Sequence, residues 1–238
     1  MEPTLPTMTP TEPTANVVPM LSSRSRSYWR YWPWVFGLTI VVVGLLGLDL
    51  QVYHLSKKIA TPNPMDQDFY SRTEWFWDAV RFPASITGGS AIFFLLLIIN
   101  PSRWRRIIAA MVACLSSEAF NSLLKMTIAR SRPDHAGPDT HLVFHPFAGF
   151  AKGAAVSFPS GEASAAFALA TAISMMFPRL TWPCYLLATF TCLARMLKGA
   201  HYLSDVAAGA LLATLGVRLL FPIFQTAIHR YLPSRTKM

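Results

Sequence analysis

Six apolar stretches, each near or above the roughly 17 residues that suggest a membrane-crossing helix, take up most of this chain. Only 14% of its 238 residues are charged, against about 25% in an ordinary soluble domain. So little charge cannot cover a water-facing surface. A soluble enzyme, a secreted disulfide scaffold and a disordered chain are poor fits. The expected fold is all-α: a polytopic membrane protein with about six transmembrane helices in one bundle, and no room for a second globular domain.

The spans read as Pro33–Leu50, Ala84–Ile99, Ile107–Leu124, Ala163–Phe177, Trp182–Leu197 and Val206–Ile228. Residues 1–30 form a flexible N-terminal tail rich in Pro and Thr, residues 31–230 the membrane domain, and residues 231–238 a basic C-terminal tail. The tail lacks the pattern of a cleavable signal peptide, so span one is expected to remain as an anchor. Between spans one and two, Phe69–Phe82 mixes aromatic and charged residues as an interfacial helix does. The Gly88-Gly89 pair in span two permits bending or close packing. The long connection Thr127–Phe158 holds three of the six histidines.

The net charge is +9, from 21 Lys plus Arg against 12 Asp plus Glu. It reads through membrane topology and anionic lipid. Nucleic acid is not an expected partner, because no zinc-finger spacing or basic helix is present. With six spans both termini share a side. That side collects Arg24, Arg26, Arg30, Arg103, Arg105, Arg106, Arg179, Arg230, Arg235 and Lys237 on short connections. The positive-inside rule makes it cytoplasmic. In a bacterial inner membrane the opposite face is periplasmic. Cys114, Cys184 and Cys192 are odd in number, form no CxxC pair, and read as small apolar side chains.

Three polar clusters interrupt the apolar pattern. Lys125 is followed after six residues by Arg132-Pro133. Phe158-Pro159-Ser160-Gly161-Glu162 precedes span four. Arg195, His201 and Asp205 bridge spans five and six. Antiparallel threading brings all three to the outer membrane face. Lys125, Arg132 and Arg195 suit a phosphoryl group, since Arg offers a planar fork of donors and Lys a compact charge. Ser160 can cap a helix whose free amides favour an anion, with Gly161 allowing close approach. His201 and Asp205 are four residues apart, so one helical turn sets them face to face. Asp205 can then hold the tautomer that leaves the other ring nitrogen free to attack. Singly, each cluster has an ordinary reading: cations at a membrane end, a common helix start, a structural hydrogen-bonded pair. Arg195 resists one, because charge inside an apolar span is costly. The joint pattern carries the weight.

These motifs resemble those of the type 2 phosphatidic acid phosphatase superfamily of membrane lipid phosphatases. Its signature is a Lys, six residues, Arg-Pro; then Pro-Ser-Gly-His; then Ser-Arg, five residues, His, three residues, Asp. Here the first part is complete, and the third has Ala194 in the Ser place. The resemblance implies that His201 attacks phosphorus to form a phosphohistidine and that Asp205 orients it. Lys125, Arg132, Ser160, the Gly161 amide and Arg195 would bind the phosphoryl oxygens. No metal and no cofactor are implied. The substrate would be a membrane lipid phosphate: a phospholipid monoester, a polyprenyl diphosphate or a lipid A phosphate. The alternatives are lipid phosphotransfer, and a non-catalytic lipid-binding or transport protein with a degenerate pocket. Oligomeric state is not readable.

Glu162 stands where the signature has His. A carboxyl can protonate a leaving oxygen and later assist water, but must be protonated for the first task. Burial favours the proton and three nearby cations oppose it. Glu162 is then a working replacement, the mark of a slowed or inactive site, or a bystander to another acid such as Asp134 or His135. A lipid diphosphate would ease the demand, because its leaving group needs less protonation.

Other residues carry weaker signals. Glu118, an acid inside span three, is a suspect for bracing Lys125 or another span. Asp49, near the end of span one, reads as interfacial. His135, His141 and His145 fit no compact metal site and read as loop residues. Lys152 is a candidate headgroup contact. Trp29, Trp32 and Trp34 fit an aromatic belt.

Overall fold

The computed structural model describes residues 32–60, 69–136 and 142–231. The tail readings, His141 and Trp29 lie outside the described residues, as do the side chains of Trp32 and His135. Only Tyr231 of the expected C-terminal tail lies within them.

The described residues are helical apart from connections and two isolated β-bridges. Helix α1 runs Trp34–Ala60, well past the expected end at Leu50. It is broken at Gly47, whose φ of 147° is open to glycine and strained for other residues. The break falls within a π-type turn over Gly44–Leu48, which leads straight into Asp49. Helices α2 (Glu74–Arg81) and α3 (Ile86–Ile99) come next. Pro83 lies in the turn between them, and Ser85 caps α3 by accepting from the Gly88 amide at 3.0 Å. A new helix start so close to the previous end bends the pair by 58°.

Helix α4 (Trp104–Ile128) has 25 residues and carries Lys125 in its last turn. Helix α5 (Gly161–Met176) is shorter, with 16 residues. Helices α6 (Thr181–Leu197) and α7 (Leu203–Tyr231) complete the bundle. The broadest packing joins α7 to α4 and α5, and α5 to α6. Alanines make this closeness possible: Ala109, Ala110 and Ala113 on α4, Ala168 and Ala172 on α5, and Ala213 on α7 are almost fully buried. Larger side chains, Val217 and Phe221 of α7 among them, fill the rest of that core.

This is an all-α, multi-pass membrane fold. Among the described residues four helices are long and apolar enough to cross a bilayer, and five if the bent pair counts as one. The expected six is therefore not reached on length alone. Helix α5 falls short, and a break separates the interfacial segment from span two.

Candidate active site

The site is assembled from the ends of α4, α5, α6 and α7. Helix α4 stops at Ala129, where φ of 49° turns the chain out of the helix. Residues 130–132 then run extended against the returning connection. Arg130 bridges Phe144, Ser131 bridges Val156, and the Ser157 amide donates to the Arg130 carbonyl at 2.8 Å. The His145 amide donates to the Ala129 carbonyl at 3.0 Å. The connection is thus strapped back onto the end of α4. Within it Arg132 donates from Nε to the Val156 carbonyl at 3.0 Å.

Ser160 is the N-cap of α5, with an extended backbone and Oγ accepting from the Ala163 amide at 3.5 Å. Its own amide donates to the Asp205 carbonyl at 3.0 Å. The Ser160 carbonyl lies so close to Gly209 of α7 that any side chain there would overlap it. The start of α5 is therefore seated on α7. Helix α6 carries Arg195 in its last turn, and a turn through Gly199 (φ 76°) delivers His201 to the start of α7.

Lys125, Arg132, Gly161, Glu162, Arg195 and His201 all line one cavity of about 550 Å³. Its remaining wall is largely apolar, with Phe93 of α3, Met111 and Leu115 of α4, and Leu169 of α5. Ser160 and Asp205 are fully buried and do not line it. The His201 ring sits with Nδ1 3.6 Å from Asp205 Oδ2, and Oδ2 also accepts from the Tyr202 amide at 2.9 Å. Nε2 is left for the cavity. Burial pushes the His201 pKa down to about 4; Asp205 pulls it up, and the charges of Lys125 and Arg195 lower it further. The imidazole is neutral across the physiological range, with a ring nitrogen lone pair available.

Residues 106–229 match the family model of the PAP2 superfamily. This chain belongs to the PAP2 superfamily. An 88-residue stretch, 37% of the chain, is 41% identical to a lipid A 1-phosphatase of Rhizobium etli and covers 37% of that protein. A stretch of the same length is 40% identical to a lipid A 1-phosphatase of Rhizobium johnstonii, covering 37% of this chain and 35% of the relative. The chain thus aligns with little more than a third of the length of the curated relatives it matches. No solved structure matches it.

Three residues of this PAP2 chain that the motifs pass over stand close behind the cavity. Arg130, fully buried, donates from Nη1 to Asp205 Oδ1 at 2.6 Å and from Nη2 to Asp49 Oδ2 at 2.8 Å. Its guanidinium lies 4.2 Å from the centre of the Tyr202 ring. Asp49 is not an interfacial residue: it is fully buried and accepts from the amide and hydroxyl of Ser204 at 2.8 and 2.5 Å. The kink of α1 is what turns it inward, and the lack of a side chain at Gly44 leaves room for it beside Ser204. Arg81, at the end of α2, grips both oxygens of Glu162 at 2.7 and 3.0 Å, while Arg195 approaches the same carboxylate at 3.1 Å. The signals were present in sequence as three ionisable residues in or beside apolar helices, but none named its partner.

The lesser candidates separate. Glu118 accepts from Ser164 of α5 and lines the cavity, bracing another span. Lys152 and Asp134 are exposed and lie off its lining. Cys114 and Cys192 are buried free thiols. Among the described residues no group of three or more His, Cys, Asp or Glu could share a metal ion.

Proposed function

We propose that this chain hydrolyses a membrane lipid phosphate through a phosphohistidine. The observation that carries the reading is the convergence of Lys125, Arg132, Arg195 and His201 on one cavity with a polar end and an apolar wall. The phosphoryl group sits among the three cations, which neutralise its charge as the transition state forms. His201 Nε2 attacks phosphorus, and the bond from phosphorus to the lipid oxygen breaks. Asp205 stabilises the positive imidazole. Water then attacks the phosphohistidine, releasing inorganic phosphate and restoring His201. The apolar wall receives the lipid chain.

Glu162 is best read as the base of the second half. Both of its oxygens already accept from Arg81, so in this arrangement it has no proton to donate, yet it can take one from water. Such a site suits a leaving group that departs without a full proton, such as the phosphate of a diphosphate or an oxygen on an acetal carbon. The lipid A 1-phosphatases it is similar to make a lipid A phosphate one candidate, beside phospholipid monoesters and polyprenyl diphosphates.

In this reading α5 and the bent pair complete six crossings. Arg103, Arg105, Arg106, Arg179 and Arg230 then share the cytoplasmic side, and the cavity faces the periplasm of a bacterial cell. Purified protein in detergent, with chelator present, is to be offered lipid monophosphates and diphosphates over pH 5–8. Phosphate release that disappears in His201→Ala supports hydrolysis. Binding without release from any lipid overturns it.

A further inference from the structure

The cavity does not turn apolar directly below the cations. On α4 the residues facing it descend from Lys125 through Ser122 to Glu118 before Leu115 and Met111 take over. Lys125 and Glu118 are seven residues apart, about 10 Å along the helix axis. Glu118 is half-buried in this wall. Its Oε1 accepts from the buried Ser164 hydroxyl across the α4–α5 contact, which fixes the carboxyl. Oε2 has no hydrogen-bond partner among the described residues. A carboxyl oxygen is an acceptor in either protonation state, and in a cavity meant only for hydrocarbon it would cost free energy for nothing.

Taking the lipid phosphatase reading as given, we infer that Glu118 selects a phosphorylated lipid bearing a hydroxyl or amide N–H about 10 Å from its phosphate. A 3-hydroxyacyl chain has that form: its hydroxyl lies a few bonds below the ester or amide linkage. A phosphate seated at Lys125, Arg132 and Arg195 sends such a chain past Ser122, and its hydroxyl reaches Oε2. A plain acyl or polyprenyl chain puts only C–H groups there and gives Oε2 no donor. Glu118 touches the substrate away from the reacting atoms, so its effect is on choice of lipid.

The test uses two phosphatidates that differ only in 3-hydroxyl groups on their acyl chains. Full-length protein in detergent is expected to favour the hydroxylated lipid by about tenfold in kcat/KM, the size of one good hydrogen bond. Glu118→Gln, which keeps an acceptor oxygen, should retain most of that ratio, and Glu118→Leu should bring it close to one. A wild-type ratio near one, or equal losses on both lipids in Glu118→Leu, overturns the inference. The same ratio is read as binding by His201→Ala, through displacement of a fluorescent phosphatidate. A binding preference without wild-type turnover of either lipid upholds Glu118 and sinks hydrolysis. Turnover of both lipids without preference does the reverse.

Discussion

Arg130 Nη1 lies 2.6 Å from Asp205 Oδ1 with both side chains fully buried, and the other arm of the same guanidinium holds Asp49. One cation therefore joins α1, the segment after α4 and α7 directly behind His201. Two carboxylates share one guanidinium, and their other donors, from Ser204 and the Tyr202 amide, are neutral. A buried pair of this kind adds little net stability over an apolar substitute, but breaking it is expensive because a charge is left without compensation.

Arg130→Ala strands two buried carboxylates and is expected to cost about 3–5 kcal/mol, seen as a large drop in melting temperature in detergent. Asp49→Asn is the gentler probe. It keeps an acceptor for the Ser204 amide but removes one anion, so Arg130 leans wholly on Asp205 and weakens its hold on the His201 cation. On any lipid phosphate that the wild type turns over, kcat should fall several-fold with KM little changed. An unaltered kcat would leave the network a purely structural one.

The sequence made the helices and the three clusters legible because both signals are local. Apolar runs mark spans, and Lys125, Arg132, His201 and Asp205 keep fixed spacings around helix ends. The pairings of Arg130 with Asp49 and of Arg81 with Glu162 each cross 81 residues. No periodicity encodes such a distance. Asp49 misled because its inward turn depends on a kink at Gly47, and a glycine in an apolar run announces neither a break nor its direction. The short span at α5 was visible as a short apolar run; its burial by α4, α6 and α7 was not.

The acidity of His201 makes a pH prediction. Its pKa falls from the ordinary 6.5 to about 4, chiefly through burial. In the proposed mechanism neutral imidazole is the attacking form, so kcat/KM should lack a His201 limb between pH 5 and 8 and decline only as pH falls through about 4. Asp205→Asn removes what pulls the value up, so the acid limb should move lower while kcat drops. The unfolded chain binds this proton more readily than the folded one, so folding stability should also decline as pH falls from about 6.5 through 4. A pH–rate profile and melting curves on the same preparation check both. An acid limb near 6.5 would mean that the ring is not buried as described.

Gly209→Ala tests how α5 is seated. The added methyl would overlap the Ser160 carbonyl, a backbone group that also anchors the cap of α5. Overpacking of this kind costs about 1–3 kcal/mol. The displaced helix start carries the Gly161 amide and Glu162, so activity should fall about tenfold or more. Gly153→Ala, on an exposed loop with open space around it, is the comparison for an alanine replacing glycine, and only backbone strain from its φ of 80° should register there. If Gly209→Ala lowers activity no more than Gly153→Ala, the seating of α5 does not control the site.

Glu162→Gln separates the two halves of the reaction. The amide is nearly the same size and retains one acceptor oxygen for Arg81, but it cannot take a proton from water. If Glu162 serves as base, formation of the phosphohistidine continues and its hydrolysis slows, about 100-fold at the lower end for a missing general base. Rapid mixing with a lipid phosphate should then show a burst of dephosphorylated lipid close to the amount of enzyme, followed by slow turnover. Acid-labile phosphate should build up on the protein and vanish in Glu162→Gln combined with His201→Ala. A slowed first turnover without a burst would assign Glu162 to the leaving group instead. Equal, small losses in both phases would remove it from proton transfer and leave it as the anion that holds Arg81 and Arg195 in place.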